Sequence, residues 1–208
     1  VVPSMSIGGW GGWNYVSTSP MYLKNSKNEE IITYCILDRD YYTQEEIEKR
    51  IVESKNANIQ LHIWRKKEIE NYLLVPSVLV RAVNAKLREV APLNIEEIEK
   101  ILNMIAEDLK NRVFDLFSTE LHRQNKAAGV AKANELARNI LNESWKTVEG
   151  RLSIIPGSEA LPMFLKYFQD KYHISLSKSF IIQYFEPEEV AAEIKLLLQA
   201  IEENKKFN

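Results

Sequence analysis

A short apolar run that ends in two acidic residues limits the fold of this chain more than any other feature. Residues 30–37 (EIITYCIL) are apolar and β-prone, and Asp38 and Asp40 follow them. A run of this length and composition, closed by turn-forming residues, is typical of a buried strand. We therefore predict a strand with two carboxylates at its C-terminal end.

The residues that follow predict a helix and a second strand. Thr43 with Glu46 three residues later forms a capping-box pattern, and residues 59–64 (IQLHIW) form another apolar run. Strand, helix and strand in this order predict a βαβ unit with parallel strands. Ligand sites of such units lie beyond the carboxyl ends of the strands, where Asp38 and Asp40 are expected.

The rest of the sequence predicts mostly helix. Apolar residues at helical spacing and capping patterns predict helices at residues 95–109, 130–148, 158–172 and 187–204, and RLSII predicts a third strand at residues 151–155. We expect an α/β fold with a parallel sheet, a substantial helical insertion and C-terminal helices. Its expected parts are a core at 1–91, the insertion at 92–150 and the remainder of the core domain at 151–208.

Composition and charge exclude several classes of protein. The sequence has no apolar stretch of the roughly 18 residues that a membrane span needs and no signal-peptide pattern, so we expect a cytoplasmic protein. The single cysteine, Cys35, excludes an intrachain disulfide and a cysteine zinc site. A net charge of −2 gives no basic footprint, so contact with nucleic acid must be local or metal-mediated. Because Val1 is not a methionine and the first residues are typical of the middle of a domain, we expect a piece of a longer protein.

The histidines and the early tryptophans have mainly structural interpretations. Three histidines, at positions 62, 122 and 173, have no partners at metal-binding spacing, so a histidine metal site is not expected. Trp10 and Trp13 lie among four glycines. They are expected to cover a sheet edge, the alternative being stacking surfaces for bases.

Four acidic residues are candidate metal ligands. Asp38 and Asp40 follow the first strand, and Glu68 and Glu70 follow the second. Carboxylates held close together raise each other's pKa, and a divalent cation allows them to stay ionised. Oxygen ligands of this kind suit Mg²⁺ or Mn²⁺.

Three basic residues lie beside these glutamates. Arg65, Lys66 and Lys67 directly follow the second strand. They are candidates for clamping a substrate phosphate, and the alternative is an ordinary solvated turn.

Several of these segments together resemble a known family. The string CILDRDYYTQEEIEKR, followed by HIWRKKEIENYLLVPSVL, is similar to the Toprim domain of OLD-family (overcoming lysogenization defect) nucleases and related ATP-dependent endonucleases. SIGGWGGW resembles the strand and Gly-rich turn that precede the acidic pair in that family. The resemblance covers residues 6–79, and a looser similarity, which includes IIPGSEAL, extends over most of the chain. It implies a Toprim-like (Rossmannoid) fold.

The resemblance also implies an activity and a set of site residues. Asp38 and Asp40 match the family's Asp-x-Asp metal ligands, and Glu70 matches its later metal-binding Glu, with Glu68 as a close competitor. The implied activity is cleavage of DNA by phosphodiester hydrolysis with two Mg²⁺ or Mn²⁺ ions. The implied partner is an N-terminal ABC-type ATPase domain of the same parent chain. A homodimer through the amphipathic helical region is also expected.

Two departures from the family pattern predict that this chain alone is poorly active. The family's opening strand, which ends in a functional Glu, has no counterpart here. The family's later Pro-Gly-Lys loop reads Pro156-Gly157-Ser158 in this chain, with Lys166 or Lys171 as candidate substitutes for the lysine.

Two alternatives remain open. One is a catalytically inactive Toprim-like module for dimerisation or DNA positioning. The other is a haloacid-dehalogenase-type phosphatase with Asp38 as the nucleophile. That motif has Thr or Val four residues after the nucleophile, where this chain has Tyr42, and Thr43 comes one residue too late.

Overall fold

The computed structural model describes residues 4–24, 32–88 and 91–203. They form a mixed α/β fold that is mostly helical. The strands are β1 (Thr33–Leu37) and β2 (Ile59–Ile63), and the helices are α1 (Trp13–Lys24), α2 (Gln44–Asn56), α3 (Pro76–Asn84), α4 (Ile95–Gln124), α5 (Gly129–Ser144), α6 (Val148–Ile154), α7 (Gly157–Tyr172), α8 (Lys178–Ile182) and α9 (Ala192–Glu202). The chain divides into two units, one made of Val1–Trp64 with Ala192–Asn208 and the other of Arg65–Ala191.

The first unit contains the βαβ arrangement that the sequence predicts. β1 and β2 pair in parallel, with Thr33 opposite Ile59 and Leu37 opposite Ile63. The capping box that starts α2 is present, because the Thr43 side chain accepts from the Glu46 N–H and the Glu46 carboxylate accepts from the Thr43 N–H. The prediction of strand, helix and parallel strand is therefore confirmed.

One face of this small sheet carries the core of the first unit. Cys35 and Leu37 point to the same face, because side chains alternate along a strand, and they pack with Ile47 of α2. Trp10 and Trp13 join them with 8% and 6% of their surface exposed, so neither ring is a stacking surface for bases. Burial raises the pKa of the Cys35 thiol to about 11, although the Arg50 charge lowers it somewhat, so this thiol is expected to be unreactive.

Helix α9 contacts the opposite face of the sheet. The Tyr34 hydroxyl donates to the Ala200 carbonyl at 3.0 Å, and the His62 Nε2 lies 3.4 Å from a Glu193 carboxylate oxygen. His62 therefore contacts α9 within the first unit. Both faces of the two-stranded sheet are thus partly covered within the first unit.

The second unit is helical and is organised around α4. This helix has 30 residues and begins with a capping box between Asn94 and Glu97. It packs against α3, α5, α6 and α7. Its core-facing side chains recur at helical spacing: Ile98, Leu102, Ile105, Ala106, Leu109 and Val113. None of the helices in the described ranges is long and apolar enough to cross a bilayer.

Three sequence-based predictions are corrected by the structure. Residues 151–155 are not a strand, because α6 covers Val148–Ile154 and starts where the Thr147 hydroxyl accepts the Gly150 N–H at 3.0 Å. The glycine-rich start forms a 3₁₀ helix over Gly9–Gly12 and continues into α1, instead of forming a strand. The last helix begins at Ala192, later than expected. Residues 30 and 31 of the first predicted strand and residue 204 of the last helix lie outside the described residues.

A carboxylate in the second unit ties the segment after α8 to α3. Glu189 accepts from the Ser77 hydroxyl, from the Arg81 guanidinium and from the Glu186 N–H, the last at 3.0 Å. Partial burial alone raises the pKa of Glu189, but these donors outweigh it and lower the pKa to about 2. Stabilisation from this carboxylate is therefore fully present above its ordinary pKa of 4.5 and is lost as the pH falls toward 2.

Glu189→Gln is expected to lower the free energy of unfolding by about 1 kcal/mol near neutral pH, because a neutral amide accepts these hydrogen bonds more weakly. Urea unfolding at several pH values measures the effect, with exposed Glu188→Gln as the control. The difference between wild type and Glu189→Gln should shrink as the pH is lowered from 4.5 toward 2. A difference that does not change with pH would contradict this account of Glu189.

Candidate functional site

The acidic pair lies at the carboxyl end of β1. Asp38 directly follows Leu37, the last residue of the strand, whose carbonyl accepts the Trp64 N–H at 3.1 Å. Asp40 has a left-handed backbone with φ of 46°, and the Tyr42 N–H donates to the Arg39 carbonyl at 3.4 Å. Both aspartates are half-buried. Asp38 thus ends the strand, and Asp40 lies in the tight turn that follows it at the mouth of a parallel sheet.

An aromatic side chain contacts this turn, and a cationic side chain lies over that aromatic ring. The Trp10 Nε1–H donates to the Asp38 carbonyl at 2.8 Å, and the Trp10 ring stacks on Tyr42 with centroids 3.8 Å apart. The Arg50 guanidinium of α2 lies 5.3 Å from the Trp10 ring centroid and 4.6 Å from that of Trp13. Sequence reasoning missed these contacts, although the tryptophans between glycines and the arginine on α2 were visible in it.

Glu68 is held by partners inside the second unit. One carboxylate oxygen accepts from the Lys67 ammonium, and the other accepts from the Ser158 N–H at 2.7 Å. Burial alone raises the pKa of Glu68, but the hydrogen bonds from Lys67 and Ser158 outweigh it, so the pKa lies below its ordinary value. Ser158 belongs to the first turn of α7, where a carboxylate is favoured by the helix dipole. The Glu68 carboxylate therefore caps the N-terminal end of α7.

Asn71 completes this network with its side-chain amide. Its Oδ1 accepts the Glu68 N–H at 2.9 Å, and its Nδ2 donates to the carbonyls of Leu152 and Ile155, both at 2.8 Å. Gly157 lies so close that a Cβ on it would be 2.7 Å from the Asn71 N and Oδ1 atoms. Hydrogen bonds from Asn71 consequently anchor the turn that follows β2 to the junction between α6 and α7.

Glu70 has a different environment from Glu68. It lies in the short 3₁₀ helix Ile69–Leu73, and its carboxylate pairs with the Lys178 ammonium at 2.8 Å on the exposed surface. An exposed ion pair of this kind contributes at most about 1 kcal/mol, so it can exchange for another partner at small cost. Of the two glutamates, Glu70 is therefore the one with the weaker contacts to the protein.

The three basic residues after β2 are also placed differently from one another. Arg65 is exposed. The Lys66 ammonium lies 3.4 Å from the Asn71 carbonyl and 5.0 Å from the centre of the Tyr72 ring. Lys67 has only 7% of its surface exposed and binds Glu68. Arg65 and Lys66 are therefore more accessible from solvent than Lys67.

The lysines that could replace the missing loop lysine both have local partners. Lys166 pairs with Asp170 at 2.7 Å, one turn further along α7. Lys171 donates to the Tyr167 hydroxyl at 2.9 Å, and this bond and one to Tyr172 raise its pKa. These contacts lie within α7, and neither one connects its lysine to the acidic pair.

Within the described ranges, no group of three or more His, Cys, Asp or Glu side chains is arranged to hold a metal ion. The described acids that share one strand end are Asp38 and Asp40. Convergence of Glu70 or Glu68 on this pair stays a prediction.

Comparison with known proteins gives no match for this chain, whether against protein-family models, curated proteins or solved structures. The function of the acidic pair is therefore inferred from its chemistry, its place in the fold and the resemblance of the motifs around it.

Proposed function

We propose that the chain carries the Asp-x-Asp half of the metal site of a Toprim-type, metal-dependent nuclease domain, of the kind found in OLD-family proteins. One observation carries the proposal: Asp38 and Asp40 follow β1 at the carboxyl end of a parallel β1–α2–β2 unit. Parallel α/β units place their ligand sites at this edge. The same residues form the motif on which the family resemblance depends.

The donor set fits a hard divalent cation. Mg²⁺ is usually held by one or two carboxylates, while waters and substrate phosphates complete its coordination. Two aspartates are therefore enough protein ligands to bind one such ion. When bound, the ion supplies a more acidic water and charge stabilisation for the leaving oxygen of a phosphodiester. Asp38 and Asp40 hold the cation.

The family resemblance implies Glu70 as a third ligand, and this assignment rests on the resemblance alone. Recruiting Glu70 breaks one exposed ion pair with Lys178, whereas recruiting Glu68 would break its hydrogen bonds from the buried Lys67 ammonium and from the Ser158 N–H. Breaking a buried charged network of that kind costs several kcal/mol. Arg65 and Lys66 are the proposed contacts for substrate phosphate. DNA as substrate, an ABC-type ATPase domain as partner and a homodimer belong to the same proposal and follow from the resemblance.

Metal binding tests the proposal without requiring catalysis. We expect Mn²⁺, titrated into the chain and followed by its electron paramagnetic resonance signal, to bind wild type and to lose at least about tenfold in affinity in Asp40→Ala and in Asp38→Ala. Glu70→Gln should weaken binding less than either. Asp108→Asn, an exposed acid on α4, is the matched control and should bind like wild type. A wild-type chain that binds no Mn²⁺, or an Asp40→Ala variant that binds like wild type, would refute the proposal.

The second candidate is a Toprim-like module that has lost catalysis. It is favoured by the contact of the Ser158 N–H with Glu68, because an internal carboxylate occupies the loop where the family resemblance expects a lysine. Nicking of supercoiled plasmid with Mn²⁺, compared between the intact protein and its Asp40→Ala variant, separates the two candidates. Nicking by wild type alone supports the nuclease, and nicking by neither protein supports the inactive module.

The phosphatase alternative receives no support from the turn. Tyr42 occupies the position where that motif has Thr or Val, and its ring stacks on Trp10.

A further inference from the structure

We propose that Trp10 is a positioning residue for the metal site, which holds the turn from Asp38 to Tyr42 in the geometry that presents both carboxylates. This inference rests on the proposed function, because Trp10 can affect metal affinity only if the two aspartates bind a metal ion. Trp10 itself has no ligand atom for a cation and acts only through the turn.

Trp10 contacts the turn on both sides of Asp40. Before Asp40, its Nε1–H donates to the Asp38 carbonyl at 2.8 Å. After Asp40, its ring stacks on Tyr42 with centroids 3.8 Å apart and planes within 20°. A single rigid ring thus contacts the Asp38 backbone and the Tyr42 side chain, and the second aspartate lies between these two residues.

Asp40 needs such support because its backbone is in the left-handed region, with φ of 46°. For a residue with a Cβ this conformation costs about 1 kcal/mol or more, and it persists where the surrounding structure enforces it. The hydrogen bond from Tyr42 to Arg39, at 3.4 Å, is long for a backbone bond. The two contacts of Trp10 therefore restrain this turn.

Trp10 is itself held firmly by the first unit. Gly8 and Gly9 both have φ of 72°, so they turn the chain to bring the indole over the end of β1. The Arg50 guanidinium lies over both Trp10 and Trp13, and Trp10 is 8% exposed. A buried ring with its N–H engaged cannot shift without disturbing these neighbours.

The expected consequence is a loss of metal affinity without a change in ligands. Groups that orient metal ligands from behind typically contribute 10–100-fold in affinity. Trp10→Phe keeps an aromatic ring in the core but removes the N–H that fixes the Asp38 carbonyl. We expect the left-handed conformation of Asp40 to become partly populated and Mn²⁺ affinity to fall by about tenfold.

The experiment compares Trp10→Phe with Trp13→Phe, a matched control in the same core and under the same guanidinium. Two readouts are measured on the full chain: Mn²⁺ affinity, and the strong intraresidue HN–Hα NOE that marks a left-handed residue at Asp40. Trp10→Phe should weaken both readouts, and Trp13→Phe should weaken neither, although both variants lower thermal stability. A general loss of stability would weaken both readouts in both variants. A loss in Trp10→Phe alone therefore reports the positioning of the turn by Trp10.

The outcomes separate this inference from the proposed function. A wild-type chain that binds no Mn²⁺ refutes the metal site, and the NOE then decides alone whether Trp10 holds the turn. A left-handed signal at Asp40 that survives in Trp10→Phe overturns the inference whatever the metal does. If Trp10→Phe fails to fold, Tyr42→Leu removes the stacking contact from the other side, and unchanged readouts in that variant overturn the inference.

Discussion

Gly12→Ala is expected to destabilise the strand-containing unit by about 3 kcal/mol, at the upper end of the cost of overpacking a core. A Cβ on Gly12 would lie 1.8 Å from the carbonyl oxygen of Ile7 and 2.8 Å from its carbonyl carbon. Because the obstacle is backbone, no side-chain rotation can relieve the overlap. The Gly8–Gly12 segment would have to move away from the sheet, and Trp10 would move with it.

Gly11→Ala is the matched control for Gly12→Ala, since a Cβ there meets nothing within 4 Å. Its free energy of unfolding should stay near that of wild type or rise slightly, because alanine reduces the entropy of the unfolded chain. Urea unfolding followed by tryptophan fluorescence measures both variants. Equal stability of the two variants would mean that the close approach of Gly12 to Ile7 does not exist.

Asn71→Asp is expected to cost the helical unit more than about 3 kcal/mol near neutral pH. The side chain keeps its size and can still accept the Glu68 N–H, but a carboxylate oxygen replaces the Nδ2 donor and faces the Leu152 and Ile155 carbonyls. Asn71 is fully buried, so water cannot relieve the repulsion. As the pH falls, the neutral acid can donate one hydrogen bond, and the loss should become smaller.

Hydrogen exchange and urea unfolding can check this prediction. Amides of α6 and α7 should lose protection in Asn71→Asp, whereas Asn111→Asp, at an exposed position of α4, should behave like wild type. An Asn71→Asp protein with wild-type stability would show that the amide does not connect the 3₁₀ helix Ile69–Leu73 to the α6–α7 junction.

The elements that the sequence predicts correctly are those with local signals. The capping pairs Thr43 with Glu46 and Asn94 with Glu97 mark the starts of α2 and α4 within one turn, and both appear in the structure. The apolar runs before and after α2 predict β1 and β2. Because a helix connects them, the two strands are predicted to be parallel, and they are. Such signals need no knowledge of distant residues.

The prediction of a strand at residues 151–155 is wrong. Five residues of this composition fit the 3.6-residue period of a helix as well as the two-residue period of a strand. Thr147 starts a helix there, and the carbonyls of Leu152 and Ile155 find their donor in Asn71. Asn71 lies more than 80 positions away in the sequence, as the separations of 81 and 84 show. No window of local sequence contains this partner.

In the candidate site, too, the sequence predicts the features that depend on neighbouring residues and not those that depend on distant ones. The position of Asp38 and Asp40 at the end of a strand follows from the order of residues alone, because the strand must end where the acidic turn begins. The different environments of Glu68 and Glu70, which are two positions apart, do not follow from it. Ser158 and Lys67 hold one carboxylate, and Lys178 holds the other.

What the sequence by itself determined is the parallel strand–helix–strand unit and the acidic pair at its mouth, since both depend on alternation, capping and chain order over a few dozen residues. Only the tertiary structure decided that Trp10 contacts Asp38 and Tyr42 and that Glu68 caps α7. The physical reason is that hydrogen bonds and stacking act over a few ångströms in space, and residues far apart in the chain come within that distance only when it folds.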